Sequence, residues 1–396
     1  IFDSLLRIPF INLTLLSDLG NYKDAKKLLK KEFPNISLNI IKNYDIKNKF
    51  RKTELLIPFF SDKNQKLKRF LLKCLANIII NITNLLDVLF FKLVLKKYDN
   101  YDVYFSPCWK VPRNIKKLNI KKKYILLHDV IPIVLKEYFL TEGAGYWFIK
   151  MIESLSHDDY YFTNSEHTRQ DFLKYFPQID ENKITTTLLA CNGNFKPCKN
   201  GLKKVLTKYN IPQDKKYIFS LCTLEPRKNL IRSVKTFLQF IKENNIDDLV
   251  YVLGGGQWHS FKDKIEQEIN DIELFQQKVI KAGYIDDEDL PILYSNAEWF
   301  TYTSQYEGFG LPVLEAMSCG CPVITSNNSS LPEVIGNAGI TLTWDSDREH
   351  IEAYKQYYYN PELREKNSRL GLERAKNFSW EKCVETMVND MVKDRQ

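Results

Sequence analysis

The sequence predicts an α/β protein of two domains, and three observations carry that reading. At 396 residues the chain exceeds what one hydrophobic core usually serves. A composition 44% hydrophobic and 27% charged is that of an ordinary folded protein rather than a disordered one. From residue 217 onward, short apolar runs alternate with helix-like segments, the pattern of a parallel sheet whose strands are joined by crossover helices.

In the first half, residues 13–16, 103–105, 124–127 and 160–163 read as strands, followed by loops carrying Ser106-Pro107, His128-Asp129 and Asn164-Ser165. The apolar run 70–95 carries Lys73, Asn77, Asn81, Asn84 and Asp87 at helical spacing, which draws one polar stripe and excludes a bilayer span. It reads as an amphipathic helix, either in the first domain's core or resting on a membrane surface beside Lys66, Lys68 and Arg69. A polar stretch from about 195 to 212, with Pro197, Gly201 and Pro212, is the expected interdomain linker. In the second half, strands are expected at 217–221, 249–253, 279–282, 299–303 and 323–325. Asn229 is positioned to cap a helix over 230–242, and Asp286 or Asp287 one ending near Ser295. Residues 378–392 read as a last helix.

Charge is divided unevenly. Residues 1–200 carry 33 Lys and Arg against 20 Asp and Glu, and the remainder 24 against 29, so a basic half adjoins a mildly acidic one. The basic half predicts an anionic partner, membrane head groups or a pyrophosphate-linked acceptor rather than nucleic acid. The eight cysteines at 74, 108, 191, 198, 222, 319, 321 and 383 contain no C-x-x-C pair and lie mostly in apolar surroundings, as free thiols of a reducing compartment do. The chain begins at Ile1 without a signal peptide, the opening expected of a fragment or of one part of a longer polypeptide.

The chemistry concentrates between Gln305 and Glu333, which read Q-Y-E-G-F-G-L-P-V-L-E-A-M-S-C-G-C-P-V-I-T-S-N-N-S-S-L-P-E. Seven residues separate Glu307 from Glu315. Pro312 suits the first turn of a helix, where its missing N–H would have no partner. The Gly308-Phe309-Gly310 turn then presents free amides at a positive helix end, a ready site for phosphate. Carboxylates on either side accept hydrogen bonds from hydroxyls. A diphosphate flanked by two hydroxyl-rich groups is the outline of a nucleotide sugar. Each candidate loop also follows an expected strand, where open α/β sheets bind ligands.

This stretch resembles the retaining family 4 glycosyltransferases of the GT-B fold, whose mark is Glu, seven residues, Glu with G-F-G between. Further pieces recur in order: L-C-T-L-E-P-R-K-N from Leu221, L-G-G-G from Leu253, A-G-Y-I-D-D-E-D-L-P-I-L-Y from Ala282, and, earlier, L-L-H-D-V-I-P from Leu126 and T-N-S-E-H-T-R from Thr163. The likeness covers residues 100–396, with 1–99 matching loosely. It implies two Rossmann-like domains facing across a cleft, an acceptor-binding one over 1–198 and a donor-binding one over 199–396, the last helix crossing back to the first.

The resemblance implies a hexose or deoxyhexose moved from a nucleoside-diphosphate sugar, GDP-mannose-like, to a saccharide or lipid-linked saccharide of surface polysaccharide or lipopolysaccharide. The expected setting is the cytoplasm, with peripheral contact at the inner membrane face. Arg227 and Lys228 are assigned to the diphosphate with the amides of Phe309, Gly310 and Leu311, Glu315 to the ribose, and Glu307 and His128 to the transferred sugar. Gly255 is expected to admit the nucleotide closely, and Tyr284 and Ile285 to offer backbone groups to the base. No metal or other cofactor is expected; Asp345-Ser346-Asp347 mimics a metal-binding D-x-D, but helix capping by Asp347 accounts for it. Retention implies attack from the face the diphosphate leaves, with a covalent adduct on Glu307 as the minor alternative. The family's opening strand carries a glycine-rich loop, whereas Gly20 is the only glycine before Gly143, so that element is expected upstream of Ile1 or absent. The competing readings are a catalytically weak nucleotide-sugar-binding partner subunit of another transferase and a GT-B epimerase.

Overall fold

The computed structural model describes residues 101–107, 120–138, 148–149, 151–223, 225–256, 268 and 271–393, together with the backbone of 14–18 and 39–43. The amphipathic segment 70–95, with Cys74, and the later Cys108 lie outside these. Contacts divide the chain into two compact units, residues 1–104 with 111–122, and 105–110 with 123–396. In the first, β1 (Thr14–Asp18) and β2 (Asn39–Asn43) form a parallel pair in register from Thr14 against Asn39 to Asp18 against Asn43.

Two further sheets of parallel strands lie wholly or mostly in the second unit. One has the order β3 (Val103–Ser106), β4 (Lys122–Leu127), β5 (Tyr160–Thr163), β6 (Ile184–Thr186). After β4 comes the one-turn helix α1 (Ile131–Val134), and after β5 the helix α2 (Glu166–Tyr175). The other sheet uses β7 (Lys216–Leu221), β8 (Leu249–Gly254), β9 (Val279–Gly283), β10 (Phe300–Tyr302), β11 (Val323–Ser326) and β12 (Ile340–Leu342) in the order β12-β11-β10-β7-β8-β9. Its neighbours pair in parallel throughout. Its helices are α3 (Leu202–Lys208), α4 (Leu230–Glu243), α5 (Ile272–Lys278), α6 (Leu290–Asn296), α7 (Leu311–Ser318), α8 (Leu331–Ile335), α9 (Asp347–Tyr359), α10 (Pro361–Ala375) and α11 (Trp380–Val392).

Alternation along the strands builds the core. Tyr217, Phe219, Val250, Val252 and Phe300 face one layer with Val205, Leu293, Val313 and Val334, while Ile218, Leu249, Tyr251, Leu253 and Ile324 face the other with Val234, Phe237, Phe275 and Tyr354. A parallel sheet covered on both faces needs such apolar strands. Helix α4 buries Leu230, Val234, Phe237, Leu238 and Ile241, the i, i+4, i+7, i+8, i+11 stripe.

Several boundaries differ from the expectations. The stretch 195–212 contains α3, whose Val205 and Leu206 enter the core, so it is a packed connection rather than an open linker. Asn229 adopts the left-handed region, and its amide donates to the Trp344 carbonyl instead of capping α4 by its side chain. Helix α6 starts only at Leu290, because the Asp286 carbonyl is taken by the amides of Asp289 and Leu290 in a preceding turn. Ser346, not Asp347, caps α9, and Asp347 pairs with Arg232. Strands β2, β6 and β12 carried no clear alternation.

Helix α11 is fastened to the four-stranded sheet. The buried Asp390 carboxylate accepts from the Tyr124 hydroxyl on β4 at 2.9 Å and from the Thr185 hydroxyl on β6. Asp390→Ala removes the carboxylate that both hydroxyls share, while Tyr124 keeps the Asp390 carbonyl at 3.1 Å, and is expected to cost about 1–3 kcal/mol, read as a lower thermal midpoint, with Asp390→Asn recovering part of the loss.

Candidate functional site

The strand order of the larger sheet reverses between β7 and β10, so the loops leaving their carboxyl ends diverge and open a crevice. Arg227 and Lys228 lie on the turn after β7, and Glu307 on the loop after β10. Three backbone contacts hold these loops together: the Gln305 amide and the Ser304 hydroxyl both reach the Arg227 carbonyl, at 2.7 and 3.0 Å, and the Arg227 guanidinium donates to the Tyr306 carbonyl at 3.1 Å.

The side chains converge. Lys228 Nζ lies 2.6 Å from Glu307 Oε1 and 2.6 Å from the Tyr302 hydroxyl, which itself donates to Glu307 Oε1 at 2.9 Å. Arg227 Nη1 stands 3.2 Å from Glu307 Oε2, and its Nε donates to Glu225 at 2.7 Å. Exposure is only 9% for Lys228 and Glu307 and 13% for Arg227. Burial alone would push the Glu307 carboxyl up, but Lys228 and Arg227 outweigh it and hold the group below its ordinary value, ionised. Burial would likewise depress Arg227, yet Glu307 and Glu225 hold it above its ordinary value.

Beyond Glu307, α7 opens at Leu311 with Pro312 in its first turn, and Gly310 precedes it with φ +108°, a conformation open to glycine. The amides of Val313 and Leu314 bond back to the Gly310 carbonyl. Those of Gly308, Phe309, Gly310 and Leu311 donate to no group among the described residues. The Phe309 side chain is buried, edge-on to Phe378, which anchors the turn from behind. A Cβ on Gly308 would fall 2.1 Å from the His128 carbonyl oxygen, so only glycine lets the β4 loop meet this turn.

His128 Nε2 is 2.7 Å from the Pro107 carbonyl. A carbonyl only accepts, so Nε2 carries the proton and Nδ1 is left for another partner. Glu315 lies a turn inside α7 and outside the Glu307 network, taking a hydrogen bond from the Tyr294 hydroxyl at 3.1 Å. Burial pushes its carboxyl up to about 7 against the lowering effect of Tyr294. Tyr284 is 70% exposed at the exit of β9, while the Ile285 side chain belongs to the core. The need for Gly255, with φ +136°, comes from the chain itself: a Cβ there would sit 1.8 Å from the Cys222 carbonyl oxygen.

Tyr302 carried no functional expectation, although a phenol ending an apolar strand beside the Glu-Gly-Phe-Gly turn was a usable signal. Nor did Ser330, whose hydroxyl reaches the carbonyls of Glu307 and Phe309 at 2.9 Å each, nor Glu333, whose carboxylate accepts from the amides of Glu166 and His167 at 2.8 and 2.6 Å. These are long-range contacts that spacing does not reveal.

Comparison with known proteins follows the same lines. The family described as "Glycosyl transferases group 1" matches residues 203–372. The chain is 33% identical over 297 residues to the O-antigen chain mannosyltransferase B of Escherichia coli, covering 74% of this chain and 75% of that protein. It is 29% identical over 222 residues to the serotype-specific mannosyltransferase WbdA of Escherichia coli, covering 54% of this chain but only 26% of that protein. A solved glycosyltransferase from Rickettsia africae ESF-5 has the same fold, with a TM-score of 0.64 at 19% identity, over 98% of this chain and 100% of that one.

The raised Glu315 carboxyl gives a signed expectation. Its folded value of about 7 lies above the ordinary 4.5, so the stability it lends below pH 4.5 is lost as the pH rises toward 7. Denaturation of wild type and Glu315→Gln is expected to show a gap in favour of the variant that widens over that window, by up to roughly 3 kcal/mol, then stays level. A constant gap would place Glu315 in water.

Proposed function

The chain belongs to the group 1 glycosyl transferases, and from that premise we propose that it moves mannose from GDP-mannose onto the growing saccharide of a bacterial surface polysaccharide. Its fold is GT-B, an α/β architecture of parallel sheets, and it is an enzyme acting on a saccharide acceptor. The mannosyltransferase names of its relatives favour the donor sugar, and E-P-R-K-N at 225–229 resembles members using GDP-linked donors.

The observation that carries the reading is the pair of buried cations held on Glu307 at the switch point, next to four amides without a described acceptor. Lys228 has three N–H bonds and uses two, on Tyr302 and Glu307; Arg227 keeps Nη2 beyond its contacts with Glu225, Tyr306 and Glu307. A diphosphate takes these remaining donors without breaking the pairs. As the bond from the sugar to the diphosphate opens, negative charge grows on the leaving oxygen, and fixed cations stabilise that state more than the ground state. No metal is required for this.

Glu307 Oε1 is filled by Lys228 and Tyr302, whereas Oε2, which faces Arg227 Nη1 at 3.2 Å, keeps a lone pair for a hydroxyl of the transferred sugar. A carboxylate neutralised by two cations and a phenol is a poor nucleophile, which favours attack by the acceptor on the face the diphosphate leaves, its proton passing to a leaving-group oxygen. Glu315 serves the ribose, the backbone at Tyr284 and Ile285 the base, and His128 Nδ1 the sugar. Among the described residues no helix is long and apolar enough to cross a membrane. Contact with an anionic lipid surface through the basic first half, at the cytoplasmic face, completes the proposal.

Purified protein with GDP-mannose and a mannose-ended oligosaccharide is expected to give an α-linked product by mass spectrometry and NMR. Lys228→Ala and Glu307→Ala are each expected to lower kcat/KM roughly 10²–10³-fold. Full activity in both variants would remove the cation-and-carboxylate cluster from the reaction.

A further inference from the structure

Three consecutive carbonyls in the turn before α7 are each pinned by hydroxyls. The single Ser330 O–H is shared between Glu307 O and Phe309 O, each 2.9 Å away, while Ser165 and Thr168 converge on Gly308 O at 2.8 and 3.1 Å. Ser330 precedes α8 in the same half of the chain, but Ser165, which caps α2, and Thr168, in its first turn, lie more than 130 residues earlier. Ser165, Thr168 and Ser330 are buried, and no solvent competes for these bonds.

In a trans peptide the N–H points opposite to the preceding carbonyl. Fixing Gly308 O therefore fixes the direction of the Phe309 N–H, and fixing Glu307 O and Phe309 O does the same for Gly308 and Gly310. Those three amides donate to no described residue. Their orientation is set by hydroxyls behind the turn, before any ligand arrives. Helix α2 is held in turn: the Glu333 carboxylate takes both the Glu166 and His167 amides, and the Ser165 hydroxyl caps the helix through the Thr168 amide at 3.0 Å.

We propose that Ser165 and Thr168 are positioning residues for the donor, because their hydroxyls hold the Gly308–Phe309 peptide in the one orientation that presents its amide to a donor oxygen. This rests on the function proposed above and adds a specificity device supplied by the first half of the chain. Released from these hydroxyls, the peptide rotates, as the glycine at 308 permits, and the amide array loses its alignment. The reacting groups stay in place, so the loss falls on donor use rather than on folding.

Ser165→Gly removes the hydroxyl while retaining most of the helix cap, and Thr168→Val removes the other at nearly constant shape. The double variant is expected to melt within a few degrees of wild type, to lose roughly ten- to a hundredfold in kcat/KM for GDP-mannose, and to show faster amide exchange over residues 306–311. Thr168→Ser is expected to restore wild-type values in the single-site background. Unchanged exchange and kcat/KM within twofold of wild type in the double variant would overturn the proposal, as would a loss confined to melting temperature. Absence of transfer by wild type would sink the function instead; the exchange comparison still decides whether the two hydroxyls hold the turn.

Discussion

Glu307 is shared by two cations and a phenol in a setting almost closed to water, and the rest of the site depends on that sharing. Two positive side chains placed together on one turn repel each other; a carboxylate brought between them from the neighbouring loop makes the placement stable and leaves each with spare N–H bonds. Loss of one partner strands a charge away from solvent, a loss of about 3–5 kcal/mol in comparable buried pairs. The cluster therefore has a single arrangement, and the two loops that carry it are stitched by backbone contacts through Arg227, Ser304, Gln305 and Tyr306. Fixed charge that needs no reorganisation is the form in which electrostatics lowers a barrier.

Close approach is the second constraint. Gly308 is pressed against the His128 carbonyl, which also accepts from the Asn164 amide at 2.9 Å, and Gly308 O meets the start of α2. Tyr306, next to Glu307, reaches Asp171 on α2, where His167 stands 3.4 Å from the same carboxylate. The loops after β4 and β5 thus bear directly on the loop that carries Glu307. Glu333 and Asp390 secure the same elements from α8 and α11. These contacts account for residues 123–138 and 151–187 joining one compact unit with the larger sheet.

Much of this was legible in the sequence where the signal is local. The parallel strands at 160–163, 216–221, 249–254 and 279–283 announce themselves as apolar runs, and Pro312 marks the start of α7 to within a residue. Arg227 and Lys228 are legible as a pair for the diphosphate and Glu307 separately for the sugar, from spacing and family likeness; that the three share one cluster with Tyr302 follows only from the strand order β10-β7-β8. Asn229 and Asp347 have the composition of helix caps, yet a left-handed backbone at Asn229 and the neighbouring Ser346 take those positions differently. Strands of three residues such as β6 and β12 are too short to show a period. Hydroxyl anchors such as Ser165 and Ser330 look like any loop serine until the fold sets them against a carbonyl.

The most direct measurement of the central claim is a crystal structure with GDP-mannose bound. The account requires the diphosphate between Arg227, Lys228 and the amides from Phe309 to Leu311, with the Glu307–Lys228 pair intact and Glu315 against the ribose. A nucleotide lodged elsewhere, or one that binds here only after Lys228 has left Glu307, would contradict it.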